Sequence, residues 1–281
     1  MCLSHAAIIG QRIRAQRVIN NQTFERLTAP AAGCTASTAL LVLVTSAVDN
    51  WERRQAIRDT WGGGDALAEV GGRLLFLLGE TEPESAAAIR AEAQEYGDIL
   101  QEAFRDSYRN LTLKTMMGLR WTAEHCDKVN FVVKTDDDIY WNLPLLMSHL
   151  ETFDDRRFIT GCIKQYSAPE PISMSGAQAP PGYPLFAAGA GYVLTGDLTA
   201  DLYQAARRIR LLPVEDVFIT GFCAKMAQAW PPRHHEGFSC GNILADDCDL
   251  VQLFNAHKIT PARQYLIWDK FTTDPNPCMD F

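Results

Sequence analysis

The sequence predicts an α/β protein built on a doubly wound, mostly parallel sheet with helices on both faces. Three observations lead there. Continuous apolar runs such as "ALLVLVTS", "RLLFLLG" and "NFVVKT" recur along the chain, as strands covered on both faces require. Helical stretches alternate with them. An acidic triplet, Asp136-Asp137-Asp138, directly follows one apolar run, and ligands of such sheets sit beyond the carboxyl ends of the strands.

In chain order, residues 1–38 lack sustained periodicity, end in "TAPAAGCTAST", and read as a lead-in or stem-like segment. The main domain is expected over 39–281. "ALLVLVTS" is its first strand, and "DNWERRQAIRDTWG" a helix ending at a glycine triplet. "RLLFLLG" is the second strand, and "EPESAAAIRAEAQEYG" an alanine-rich helix closed by Gly97. "DSYRNLTLKTMMGLRWTAEHC" is a longer helix with Leu113, Met116, Met117 and Trp121 along one face. Then come "NFVVKT", the aspartates, the short helix "LPLLMSHLE", and the strands "RFITGCI" and "AGYVLTG". The last two are separated by a Pro/Gly/Ser-rich loop. "DLTADLYQAARRI" and "DVFITGFCAKMAQ" read as helices.

Gross composition narrows the classes. At 281 residues the chain is long enough to bury a large α/β core. Its formal net charge of -8 argues against a nucleic-acid partner, which needs a basic face. The 8 cysteines show no zinc-type spacing, and their even count is compatible with disulfides in an oxidising compartment. Two glycosylation triplets, at Asn21 and Asn110, weakly favour the secretory route. No apolar run reaches the ~18 residues of a membrane span, so no anchor is encoded in this sequence. The opening residues do not read as a signal peptide.

The aspartates pose a charge problem. In an extended segment Asp136 and Asp138 point one way and Asp137 the other. Two carboxylates about 6–7 Å apart repel by about 2–3 kcal/mol at an effective dielectric near 20. A hard dication, Mg²⁺ or Mn²⁺, relieves that repulsion and leaves positions for phosphate oxygens. A solvated acidic turn is the plain alternative. Glu215 and Asp216 open a helical stretch, where Asp216 is either an N-cap or a general base. If Asp216 caps its helix with both oxygens bound to backbone, the base assignment fails; Glu215 is the fallback. Arg53, Arg54 and Arg58 follow the first strand, as a solvated helix face or as diphosphate ligands. Gly189 and Gly191 permit either close ligand approach or a bulge.

Taken in order, "RRQAIRDTWG", "FLLG", "DSYRNLTLKT", "VVKTDDDIYWN", "AAGAGYVLTGD" and "EDVFITG" resemble the β-1,3-galactosyltransferase and β-1,3-N-acetylglucosaminyltransferase family, with Fringe enzymes more distant. The resemblance spans about 40–270. It implies a GT-A fold, a UDP-sugar donor, Mn²⁺, inversion at the anomeric carbon, and a glycan acceptor on glycoprotein or glycolipid. It also implies the Golgi lumen, although known members usually carry an anchor. By position, Asp138 becomes the direct Mn²⁺ ligand, Asp136 lies near ribose or uracil, and Asp137 supports them. Asp216 becomes the catalytic base. Arg53, Arg54, Arg58, Trp61 and Lys134 are expected at the UDP pocket, and Gly189, Gly191, Tyr192 and Glu215 at the sugar and acceptor side. "NAHKITPARQYLIWDKF" resembles the family's late motif, which puts forward His257 as second metal ligand, with His234 and His235 as rivals.

The stretch "AQAWPPRHHEGFSCGNILADDCDL" departs from the family, and within it Cys240 and Cys248 are spaced to close a small loop. Two other readings compete. One is a catalytically silent relative that binds UDP or glycans, against which the intact "DDD" and "ED" motifs speak. The other is a metal-dependent phosphoryl enzyme, disfavoured because no GxxxxGK[ST] loop is present.

Overall fold

In the computed structural model, which describes residues 5–21, 23–165, 182–240 and 248–273, the chain winds around one mixed sheet. The first helix is α1 (His5–Arg14), followed by the short strand β1 (Arg26–Thr28). Next are β2 (Leu40–Thr45), α2 (Trp51–Asp59), α3 (Gly64–Glu69), β3 (Gly72–Glu80), α4 (Pro83–Tyr96), β4 (Ile99–Arg105) and α5 (Leu111–His125). The second half contains β5 (Phe131–Asp136), β6 (Ile139–Trp141), α6 (Leu143–Leu150), β7 (Ile159–Lys164), β8 (Phe186–Thr195) and α7 (Thr199–Ala206). A π-helical stretch, Val217–Cys223, continues into α8 (Ala224–Met226). After it come β9 (Arg233–His234), β10 (Asn255–His257) and α9 (Pro261–Thr273).

The sheet order is β1-β4-β3-β2-β5-β8-β7-β9. Its centre, β4-β3-β2-β5, is parallel, and β8 then runs antiparallel to both β5 and β7. Every residue of β2 is buried, which explains its unbroken apolar sequence. Leu41 and Leu43 join the core under α5 and α7, while Leu40, Val42 and Val44 join Trp61, Leu146 and Ile267 on the other face. Helices thus cover both faces of a mostly parallel sheet, as the sequence predicts. α4 carries Pro83 in its first turn and closes on Gly97 in the left-handed region (φ 66°), where a side chain would be strained.

Several features differ from the expectations. The segment before residue 39 is built into the fold. Ile9 and Ile13 sit in the core, β1 pairs with β4, and Asn20 bonds the Ala206 carbonyl at 2.7 Å. Cys34 is joined to Cys126. β4 was not expected as a strand because Gln101 and Glu102 interrupt its apolar pattern. Both are buried, Gln101 donating to the Gly79 carbonyl at 2.9 Å and Glu102 paired with Arg120. Cys240 is bonded to Cys162, not to Cys248, and so ties the irregular late segment to β7. The Pro/Gly/Ser-rich loop lies largely outside the described residues. Among the described residues no helix is long and apolar enough to cross a membrane.

Candidate active site

Strand pairing assembles the site. Thr45 at the end of β2 is in register with Asp136 of β5, so the turn after β2 meets the acidic triplet. β8 places Tyr192 opposite Lys134 and Gly191 opposite Thr135. The small β6–β10 ribbon sets His257 opposite Ile139, and Ile259 N–H donates to the Asp138 carbonyl at 2.9 Å. The result is a cavity of about 750 Å³ lined by Asp136, Asp138, His257, Gly189, Glu215 and Asp216. A smaller cavity of about 230 Å³ shares Asp136 and Asp138 and adds Thr45, Ser46 and Lys114.

The three aspartates have separate environments. Asp137 turns toward α2, where it accepts from Ser46 Oγ (2.7 Å) and Asn50 Nδ2 (2.8 Å), with Arg53 at 3.4 Å. Asp136 accepts from Thr45 Oγ1 and from Lys134 Nζ, the latter at 2.8 Å. Asp138 Oδ2 lies 3.7 Å from His257 Nε2 and 3.7 Å from an Arg53 nitrogen. Burial pushes the Asp138 carboxyl above the ordinary range; Asp136 and Asp137 add to this, and His257 and Arg53 oppose it. Crowded negative charge beside a carboxylate–imidazole pair suits a hard dication, and these donors fit Mn²⁺.

Asp216 opens the π-helical stretch. Its Oδ1 accepts from Val217 N–H at 2.8 Å and its Oδ2 from Gly189 N–H at 2.9 Å. Both oxygens are therefore bound to backbone, but only Oδ1 to Asp216's own helix, so the condition that would end the base assignment, both oxygens spent on capping that helix, is not met. Asp216 also lines the cavity, and a carboxylate has about four acceptor positions, so two backbone bonds leave lone pairs free. Burial, reinforced by Glu215, pushes its pKa up to about 6 against the pull of the Val217 N–H, Lys134 and the Gly189 N–H. A Cβ at Gly189 would stand 3.3 Å from Asp216 Oδ2, tighter than ordinary packing. Glu215 is committed elsewhere: Tyr192 Oη donates to it at 2.7 Å and Lys134 Nζ lies at 3.4 Å.

Comparison with known proteins places the chain in a family. A galactosyltransferase family model matches residues 52–233. The chain belongs to the galactosyltransferase family. It is 32% identical over 272 residues to human beta-1,3-galactosyltransferase 1, covering 92% of this chain and 81% of that protein. It is 34% identical over 256 residues to mouse UDP-GlcNAc:betaGal beta-1,3-N-acetylglucosaminyltransferase 8, covering 85% of this chain and 64% of that one.

Within this galactosyltransferase-family chain, some of the residues expected at the UDP pocket do not reach it. Arg54 is wholly buried and forms a two-point pair with Glu92 at 2.7 and 2.8 Å. Arg58 bonds Asp98 and Glu92 and lies 4.0 Å over the Tyr96 ring. Trp61 is core, its Nε1–H donating to Gln264. These three hold α2, α4 and α9 in place; of the cluster only Arg53 reaches the aspartates. Gly191 admits no ligand either, because a Cβ there would overlap the Trp141 ring and the Asn255 amide. Tyr192 is fully buried and acts through Glu215. His234 and His235 lie off the cavity, His234 accepting from Ile163 N–H and His235 stacked on Phe254. Sequence reasoning missed Tyr108, Arg109, Lys164 and Lys258, which line the cavity from loops and strand ends. The first two lie inside the "DSYRNLTLKT" motif, and that placement was the available signal.

Proposed function

We propose that this family member is an inverting hexosyltransferase. In this reading it moves galactose or an N-acetylhexosamine from a UDP-sugar to the 3-hydroxyl of a glycan on glycoprotein or glycolipid, in a Mn²⁺-dependent reaction that forms a β-1,3 linkage. Its place is the Golgi lumen. One observation carries the reading: Asp216 and the Asp138–His257 pair line the same cavity.

Inversion is a single in-line displacement. The acceptor oxygen bonds to the anomeric carbon as the bond from that carbon to the β-phosphate oxygen breaks. The electron pair leaves with UDP, and the hydroxyl proton passes to Asp216. Asp216 suits this task because burial raises its carboxyl to about 6, still ionised at neutral pH but a better proton acceptor than an exposed aspartate. The Gly189 and Val217 N–H groups fix its rotamer and hold the carboxylate at the wall of the cavity it lines. Glu215, bonded to Tyr192 and Lys134, is not available as base. Asp138 and His257 would hold the dication, which when bound supplies Lewis-acid stabilisation of charge on the departing diphosphate. Asp136 and Thr45 border the smaller cavity, where the nucleoside is expected.

The deciding experiment is a panel of UDP-galactose, UDP-N-acetylglucosamine and UDP-N-acetylgalactosamine with Mn²⁺ and simple glycan acceptors, reading UDP release and the linkage formed. Acceptor-dependent release with a β-1,3 product is the expected result. UDP binding without release in any combination would mean a silent relative.

A further inference from the structure

Lys134 is a buried cation beside the reaction, at 2% relative exposure, and its ammonium meets three segments at once. Its Nζ is 2.8 Å from Asp136 Oδ1 on its own strand, 3.0 Å from the Gly189 carbonyl on β8, and 3.4 Å from Glu215 Oε2 just before the π-helical stretch. Tyr192, directly opposite Lys134 in the β5–β8 ladder, reaches the other oxygen of Glu215. Gly189, whose carbonyl Lys134 holds, is also the residue whose N–H holds Asp216. Lys134 therefore stands between the donor side and the base side, and its ammonium meets protein groups from both.

We propose that Lys134 is a positioning residue that locks the base segment onto the donor strand, and that the oppositely charged Lys134–Glu215 pair acts on the neighbouring Asp216. The inference rests on the reading of Asp216 as base. Glu215 adds like charge beside Asp216 from the same segment; Lys134 from β5 offsets it. Burial disfavours the charge on Lys134, but Asp136, Glu215 and Asp216 outweigh it and hold the ammonium protonated. The other charged groups facing this space are Asp136 and Asp138 from the acidic triplet, His257 from β10 and Lys258 just after it, Arg109 from the turn before α5, and Lys164 from β7. The buried Cys223 thiol is pushed up by burial and stays neutral.

The test is the pH profile of transfer in E215Q, K134M and the K134M/E215Q double variant, using the donor chosen by the panel, with Mn²⁺-dependent UDP affinity measured in parallel. Removing the like charge in E215Q is expected to move the acid limb of kcat down by about one pH unit, and removing the cation in K134M to move it up by about as much. The double variant should return close to the starting profile, since a removed pair leaves no net charge. UDP affinity should change less than about tenfold throughout. E215Q keeps the shape of the site and an oxygen that can accept from Tyr192 Oη, so it and the double variant, which removes both charges together, decide the matter even if K134M does not fold. Limbs that stay put while kcat falls evenly at all pH values overturn the proposal. So does a loss of UDP affinity in K134M with an unmoved limb, which would make Lys134 a direct UDP ligand. D216N, run alongside, separates the two levels: if it retains transfer, the reading of Asp216 as base is wrong whatever the other variants do.

Discussion

Arg54→Met should unfold the protein early and leave its nucleotide site nearly intact. Arg54 makes bonds to Glu92 Oε1 (2.7 Å) and Oε2 (2.8 Å), to the carbonyls of Ala47 (2.6 Å) and Val48 (3.1 Å), and to Ser46 Oγ (3.1 Å). With the guanidinium gone, Glu92 keeps only Arg58, at 2.8 Å, and the Ala47 and Val48 carbonyls lose a donor. Breaking one side of such a buried pair costs about 3–5 kcal/mol. For a chain of this size that is a fall in Tm of roughly 10 °C. The Glu92 carboxyl adds a pH signature. Burial alone would raise it, but Arg54 and Arg58 hold it below the usual range. Its contribution is present above the ordinary glutamate pKa and is lost as pH falls through the depressed value. Circular-dichroism melting across pH, with UDP calorimetry below the transition, tests both parts. A Tm unchanged within about 2 °C together with UDP affinity reduced more than about tenfold would return Arg54 to the nucleotide pocket and refute the structural argument.

Further outcomes follow from the site. Asp216→Asn should keep UDP affinity and lose transfer by about 10²–10⁴-fold or more; comparable loss of UDP binding would point to a purely structural cap. Asp138→Ala and His257→Ala should each abolish the Mn²⁺-dependent part of UDP binding in calorimetry, and unchanged binding in manganese would remove them as metal ligands. Transfer should decline about tenfold per pH unit below about 6, because protonated Asp216 accepts no proton; a profile flat down to pH 5 counts against it. Peptide mapping without reduction should recover Cys162 linked to Cys240, and the C162S/C240S variant, by opening a loop of 78 residues, should lose up to about 4 kcal/mol of stability.

What could be read from the sequence follows from which interactions are local. β2, β3 and β5 are legible because strands buried on both faces have few polar residues. α4 is legible because Pro83 and Gly97 mark its ends. β4 is not, since Gln101 and Glu102 are satisfied by Gly79 and Arg120, partners that only the fold supplies. The arginines show the same limit. Arg53, Arg54 and Arg58 read alike in sequence, yet helical rotation sends Arg53 to the aspartates and the other two into the core. The 1–38 segment looked like a linker because its anchors, Ile9, Ile13 and Cys34, are scattered rather than periodic.

Cap or base is posed by the sequence as a choice for Asp216, and the geometry explains why it need not be one. An N-cap aspartate must hold its carboxylate against backbone N–H groups, and a general base must hold its carboxylate still. Here one donor comes from the residue that opens the π-helical turn, Val217, and the other from a different strand, through Gly189. A cap made only with its own helix would turn with that helix. The second donor fixes the carboxylate relative to β8, the strand paired with the one that leads into Asp136–Asp138. The π-helical turn adds a further tie, because Thr220 Oγ1 donates to the Asp216 carbonyl at 2.6 Å and accepts from Ala187 N–H at 2.9 Å. Replacing Thr220 by Val removes both bonds while keeping the shape. The expected result is a lower kcat with UDP affinity unchanged, because the lost contacts position only the base. A T220V variant with wild-type kcat would mean that Gly189 alone holds Asp216 in register.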